Sequence, residues 1–367
     1  MKQKKNIMFR VDSSQEIGSG HVMRCLTLAC SLRNKGANVT FVCRDLLGNL
    51  GEIIEQQHFN LIMLPNYKDN KNLPLITAHS KWLGVHWKVD AAETISVVNR
   101  LENEISVLII DHYAIDKNWE SEVRKFVKRI MVIDDLADRL HDCDILLDQN
   151  FYHNYKDRYQ NLVPQSCKLF LGPEYVLLRD EFYSCNPIDK KHNGNVKKIL
   201  VFFGGTDSTN ETKKTIMAIL QLDFITIELD VVIGKSNIHK KEIVSICSQY
   251  KFINLHYQIN NMAELMYSAD LAIGAGGTTT WERCYLGLPS IVITVAPNQE
   301  LIAQTLDQLG IIKYIGPKEF VKEKDITLKV QELMNNPSVL RQISDRSRRL
   351  FKGSTDKCQI LLSEILE

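Results

Sequence analysis

Short, continuous apolar runs recur along this 367-residue chain, each bounded by turn residues and followed by a helical pattern. A first set lies at 7–11, 38–43, 61–64, 107–110, 130–133 and 145–147, and a second at 198–203, 227–233, 253–256, 271–273, 290–295 and 312–314. Uninterrupted apolar runs are what strands buried on both faces of a parallel sheet look like. Their alternation with helices builds βαβ units and doubly wound sheets. The pattern restarts once: Ile199-Leu200-Val201-Phe202-Phe203 leads into Gly204-Gly205, as the first run leads into Gly18 and Gly20. The expected class is therefore α/β, with two Rossmann-like domains and mainly parallel sheets facing across a cleft. The polar, turn-rich stretch 184–197 reads as a linker. It separates an N-terminal domain, 1–183, from a C-terminal domain, 198–367. A last helix, 337–351 and on to 367, is a candidate to pack back on the first domain.

Composition removes several classes of function. A formal net charge of +1 argues against nucleic acid or a membrane surface as the main partner. Lys2, Lys4 and Lys5 precede only a three-residue apolar run, too short for a signal-peptide core. No stretch approaches the roughly 18 apolar residues of a membrane span. The nine cysteines form no CxxC pair and read as thiols in a reducing cytoplasm, where the protein is expected to work. No metal and no cofactor is expected. The oligomeric state is open, and a monomer fits the sequence.

Ligands of open parallel sheets bind beyond the carboxyl ends of the strands, so the residues following each run are the candidates. In the first half they are Asp12-Ser13-Ser14, Asp111-His112-Tyr113, Asp134-Asp135 and Asp148-Gln149-Asn150. In the second they are Gly204-Gly205-Thr206-Asp207, Gly274 to Thr280, and Pro297-Asn298-Gln299. Any one of these can be a helix cap; the set as a whole favours a site.

Two segments stand out. Ile17-Gly18-Ser19-Gly20-His21 sits between the first strand and a helix expected at 20–35, with Gly36 as its C-cap. Its glycines allow a sharp turn and close approach, and the helix start favours an anion such as phosphate. A helix N-terminus also favours a neutral imidazole, so His21 can serve as a general base for water; a solvated polar residue is the plainer alternative. In Gly276-Gly277-Thr278-Thr279, small residues and hydroxyls suit a phosphate. Glu282, further along, can accept both hydroxyls of a ribose or simply be an exposed helix carboxylate. Arg179 can be a surface ion-pair partner or the cation of a metal-free diphosphate site.

These segments resemble a known family. Arg10 to Ser14, Ile17 to Arg24, Asp111-His112-Tyr113, Leu178 to Phe182, Gly204 to Asp207 and Pro297-Asn298-Gln299 occur in the order found in the UDP-2,4-diacetamido-2,4,6-trideoxy-β-L-altropyranose hydrolases of pseudaminic acid biosynthesis. The resemblance runs from about residue 6 to residue 300. It implies a GT-B fold, similar in architecture to the lipid II-forming glycosyltransferase of peptidoglycan synthesis. It also implies metal-independent, inverting replacement of UDP by water at an anomeric carbon, with a small-molecule UDP-sugar as the partner. On this resemblance His21 activates the water, Tyr113 lies beside the sugar, and Asn298 lies near the diphosphate or sugar. Glu282 takes the uridine ribose and Gly276, Gly277, Thr278 and Thr279 cradle the diphosphate. Asp12, Gly20, Asn150, Arg179, Gly205, Thr206 and Gln299 fall in matching segments and are expected to touch substrate. The match departs at Trp82 to Asp90, expected to be a loop over the sugar pocket.

Other readings remain open. A glycosyltransferase of the same fold uses a sugar or lipid acceptor in place of water, and a hydrolysing 2-epimerase would exchange the C2 proton with solvent. A non-catalytic nucleotide-sugar binding protein would bind without releasing UDP.

Overall fold

Seven strands pair in the first half of the chain: β1 (Asn6–Val11), β2 (Asn38–Arg44), β3 (Asn60–Leu64), β4 (Val107–Asp111), β5 (Arg129–Ile133), β6 (Ile145–Asp148) and β7 (Lys168–Leu171). Their order in the sheet is β3-β2-β1-β4-β5-β6-β7. The second sheet has six: β8 (Lys198–Phe202), β9 (Glu228–Ile233), β10 (Ile253–Tyr257), β11 (Leu271–Ala275), β12 (Ser290–Thr294) and β13 (Lys313–Pro317), in the order β10-β9-β8-β11-β12-β13. These come from a computed structural model that describes residues 4–67, 78–185, 192–222 and 227–367. Every pairing is parallel. Both sheets are Rossmann-like.

The apolar runs form strands because helices cover both faces of each sheet. In β1, Ile7, Phe9 and Val11 enter one core while Met8 enters another on the opposite face. Arg10 also alternates away from Phe9, and it is fully buried. The helix Gly20–Asn34 contributes Val22, Cys25, Leu26, Ala29 and Leu32 to the Phe9 side, the spacing of a single helical stripe. It ends as glycine-terminated helices do. Gly36 takes φ +90°, its N–H donates to the Arg33 carbonyl, and Ala37 N–H reaches back to Leu32.

The chain divides into two units, the first comprising 1–150, 154–177 and 353–367 and the second 151–153 and 178–352. The stretch 184–197, read above as a linker, begins within the second unit, and its residues 186–191 lie outside the described residues. The expected last helix is two helices, Pro337–Arg349 and Ser354–Leu366, separated around Gly353 at φ +83°. Leu361, Leu362 and Ile365 of the second one belong to the core of the first sheet. Among the described residues no helix is long and apolar enough to cross a membrane.

In each sheet the strand order reverses beside the first strand, between β1 and β4 and between β8 and β11. Such a reversal separates the outgoing connections and leaves a crevice at the carboxyl ends of the two strands. The two segments singled out by sequence, 17–21 and 276–282, follow β1 and β11 respectively.

Candidate active site

Beyond β1 the chain makes a tight excursion before entering its helix. Gly18 N–H donates to the Ser14 carbonyl at 2.9 Å, while the Ser14 hydroxyl accepts from the amides of Glu16 and Ile17. Gly18 sits at φ +81°, a conformation that a Cβ strains. Gly20 is different. It is the first helical residue, has no unusual φ, and a Cβ there would meet nothing within 4 Å. Only one of the two glycines is therefore required by the backbone; the other leaves open space at the helix entrance. Ser19 makes no side-chain cap bond at this helix start.

His21, in the first turn, points its Nδ1 at Asp111, the last residue of β4, 2.6 Å away. Arg24, one turn along the same helix face, grips Asp111 with two donors, Nε at 2.5 Å and Nη2 at 2.7 Å. It also donates through Nη1 to Asp135 at 2.9 Å. Burial alone would raise the Asp111 carboxyl, but Arg24 and His21 outweigh it and hold it well below the usual carboxylate range. An ionised Asp111 can accept a proton from His21 Nδ1, and Arg24 Nη2 also lies 3.3 Å from that nitrogen. Beside the imidazole, Tyr113 packs edge-on with ring centroids 4.5 Å apart. The Tyr113 hydroxyl donates to Asp135, and Asn150 Nδ2 donates to the same carboxylate at 3.2 Å. Burial and then Asp135 push the Tyr113 phenol well up, so it stays a neutral donor. Sequence thus selected His21, Tyr113 and Asn150, and the structure joins them through two of the strand-end carboxylates, Asp111 and Asp135, and through Arg24, which had been given no role. The signal for Arg24 was its i+3 spacing from His21; that for Asp111 and Asp135 was their place at strand ends.

Asp12 has another part. It is fully buried, and Arg10 donates to both of its oxygens at 2.6 and 2.8 Å, with the Arg44 amide adding a third bond at 2.6 Å. His112 Nε2 lies 3.3 Å from it. Arg10 and Arg44 both continue to Asp90, which also accepts from the Trp119 indole. With both oxygens engaged and no exposed surface, the Asp12 carboxylate ties Arg10 of β1 to the Arg44 amide of β2. The stretch Trp82 to Asp90 is not a loop. A 3₁₀ turn, Ser80–Leu83, leads into the helix Trp87–Arg100, whose first turn carries Asp90 into that ion-pair network.

At the second sheet's switch point the material is mostly backbone. Gly274 is required by packing: a Cβ there would lie 2.3 Å from the Phe202 carbonyl of β8. Gly276 gives its amide to Gln299 Oε1 at 3.2 Å, and that oxygen also accepts from Val295 N–H at 3.0 Å. Gln299 therefore holds the turn together, and the Gly276 amide is already used. Gly277 and Thr278 complete the turn and Thr279 opens the helix Thr279–Tyr285, with no side-chain cap. Gly205 backs onto Gly234, where a Cβ would lie 2.5 Å from the Gly205 carbonyl. Thr206 is half-buried after β8, and Asn298 is exposed on the 3₁₀ turn Pro297–Gln299.

Glu282 and Arg179 are partners. Arg179 donates to Glu282 Oε1 through Nε at 3.0 Å and reaches it with Nη2 at 2.9 Å, while its Nη1 pairs with Glu181 at 2.6 Å. Two carboxylates thus pair with the guanidinium, the first of the two readings the sequence left open for Arg179. Glu282 Oε2 is buried and has no hydrogen-bond partner. Burial pushes this carboxyl up, against the pull of Arg179. Among the described residues this buried acceptor is unpaired, which costs free energy until a donor arrives.

Residues 199–357 match the model of the glycosyltransferase family 28 C-terminal domain. The chain is 27% identical over 289 residues to an uncharacterized protein of Methanocaldococcus jannaschii, covering 77% of this chain and 54%, about half, of that relative. It is 28% identical over 306 residues to the UDP-2,4-diacetamido-2,4,6-trideoxy-beta-L-altropyranose hydrolase of Campylobacter jejuni, covering 83% of this chain and 97% of that one. The crystal structure of MurG from Acinetobacter baumannii superposes with a TM-score of 0.67 at 13% identity, over 99% of both chains. The fold is that of the GT-B glycosyltransferases.

Proposed function

We propose that this protein is a UDP-sugar hydrolase that converts UDP-2,4-diacetamido-2,4,6-trideoxy-β-L-altrose into UDP and 2,4-diacetamido-2,4,6-trideoxy-L-altrose. The observation that carries the reading is the Asp111–His21 pair at the β1/β4 switch point. It leaves an imidazole nitrogen able to take a proton from water, and the similarity to the Campylobacter jejuni hydrolase supports the same chemistry. Water attacks the anomeric carbon from the face opposite the diphosphate as His21 Nε2 accepts its proton. The C1–O bond breaks, and its electron pair leaves with UDP. UDP is a good leaving group, so the enzyme's main tasks are positioning one water and stabilising departing charge. In the second unit we assign the uridine ribose to Glu282 and the diphosphate to the turn from Gly277 to Thr279, with Gly205, Thr206 and Asn298 nearby in role. We place the reaction in the cytoplasm.

The test is to incubate the protein with this substrate and follow the anomeric proton and UDP by NMR. Release of UDP with an inverted free sugar as first product is expected. Unchanged substrate, with UDP-sugar binding demonstrated, would overturn the reading. A second reading, glycosyl transfer, is favoured by the family 28 match over 199–357. It predicts UDP release only when an acceptor is added.

A further inference from the structure

Beside His21 lies an aromatic patch that activation of water does not require. Trp82, on the 3₁₀ turn Ser80–Leu83, stacks on Tyr113 with ring centroids 5.6 Å apart and planes 27° apart. It meets His21 edge-on at 6.2 Å. His79 packs against both neighbours, 4.5 Å from Trp82 and 5.3 Å from Tyr113. Tyr113 is buried, whereas Trp82 and His79 retain part of their exposed surface.

The charged groups around the base are engaged with one another. Asp111 is held by Arg24 and His21, and Asp135 by Arg24, Tyr113 and Asn150. What this corner presents beside the base is therefore ring carbon more than hydrogen-bonding groups. Any pyranose can lay its C–H face on such a ring, but a hydroxyl turned toward it loses water without gaining a hydrogen-bond partner. A sugar with a deoxy carbon and N-acyl methyl groups presents C–H surface that packs on an aromatic ring.

We propose that Trp82, supported by His79 and Tyr113, is a specificity-determining surface that selects deoxy, N-acylated sugars over hydroxylated ones. The proposal rests on the hydrolase reading and assigns that site's substrate preference to a residue outside the motifs that suggested it. Trp82 neither moves a proton nor binds UDP on this view, so its loss changes discrimination between sugars and leaves affinity for UDP itself intact.

The experiment compares wild type, Trp82→Ala and Trp82→Phe. For each, kcat/KM is measured with UDP-2,4-diacetamido-2,4,6-trideoxy-β-L-altrose, UDP-N-acetylglucosamine and UDP-glucose, alongside the inhibition constant of UDP. Discrimination by apolar groups of this size is typically about 10-fold to 200-fold. Trp82→Ala is expected to lose roughly tenfold or more of the preference for acylated over hydroxylated sugar. Trp82→Phe should keep most of it, and UDP inhibition should be equal in all three. An unchanged preference in Trp82→Ala overturns the proposal. If wild type releases UDP from none of the three, the hydrolase reading fails. The aromatic surface is then judged by saturation-transfer NMR on the acetyl methyl of UDP-N-acetylglucosamine. Loss of that signal in Trp82→Ala supports the surface, and an equal signal overturns it.

Discussion

The two switch points share a strand order and differ in chemistry. Between β1 and β4 the crevice is built from ionised side chains, with Asp111, Arg24 and Asp135 linked around His21. Between β8 and β11 it is built from glycines and main-chain amides, with Arg179 paired to Glu282 and Glu181 at its side. The same doubly wound scaffold thus carries an ion-paired histidine corner in one sheet and a glycine-rich turn in the other. The lesson is that the fold fixes where a site lies and the side chains after each strand fix what it does.

The most severe test of that division is His21→Ala. Turnover should fall by roughly 10² to 10⁴-fold, the usual contribution of a general base, while calorimetric UDP affinity stays at the wild-type value. A parallel loss of UDP binding would merge the two roles. Asp111→Asn should come next, with kcat lower by roughly 10²-fold or more, because an amide no longer enforces the tautomer that leaves Nε2 free. A normal pH–rate profile in that variant would show that Asp111 only supports the fold. Glu282→Gln probes the other side: UDP should bind about tenfold more weakly, about 1.4 kcal/mol, with kcat retained.

The glycines separate the regions by stability. Gly274→Ala forces a Cβ against the Phe202 carbonyl and should lower unfolding free energy by about 1–3 kcal/mol in denaturant titration. Gly20→Ala meets open space and should change it by no more than about 0.5 kcal/mol. Equal effects would remove the distinction between a packing glycine and one that leaves room for a ligand. The smallest effect concerns acid. Burial opposes ionisation of Asp134, but Arg139 and neighbouring donors prevail and bring its carboxyl down to about 2. A carboxylate depressed in the folded state stabilises above its unfolded value and loses that contribution as pH falls through the folded one. Thermal stability should therefore decline between about pH 4 and pH 2, and Asp134→Asn should flatten that decline.

Much of this was legible in the residues. Twelve of the strands announced themselves as apolar runs. β7 did not, because Lys168 and Leu169 are exposed at the edge of the sheet and only Phe170 is buried. The strand-end aspartates could be found, but not their partners. Arg10 meets Asp90 across 80 residues, Arg24 meets Asp111 across 87 and Arg179 meets Glu282 across 103. No local pattern encodes such pairings, so Asp12 and Arg179 stood out as candidates while the partners that hold them did not. Trp82 to Asp90 looked irregular because its first residues belong to a 3₁₀ turn and its apolar helical face begins only at Trp87.

The return of the helix Ser354–Leu366 to the first sheet has a consequence for the order in which the protein can be made. Leu361, Leu362 and Ile365 help fill the first core, and Arg129 bonds the Glu364 and Ile365 carbonyls at 2.9 Å. All seven strands of the first sheet are translated before any strand of the second, yet that sheet's hydrophobic face stays incomplete until residues 354–366 emerge. The second sheet can pair while the first core still waits. On the ribosome, the sheet that carries His21 is synthesised before the second sheet and completed after it.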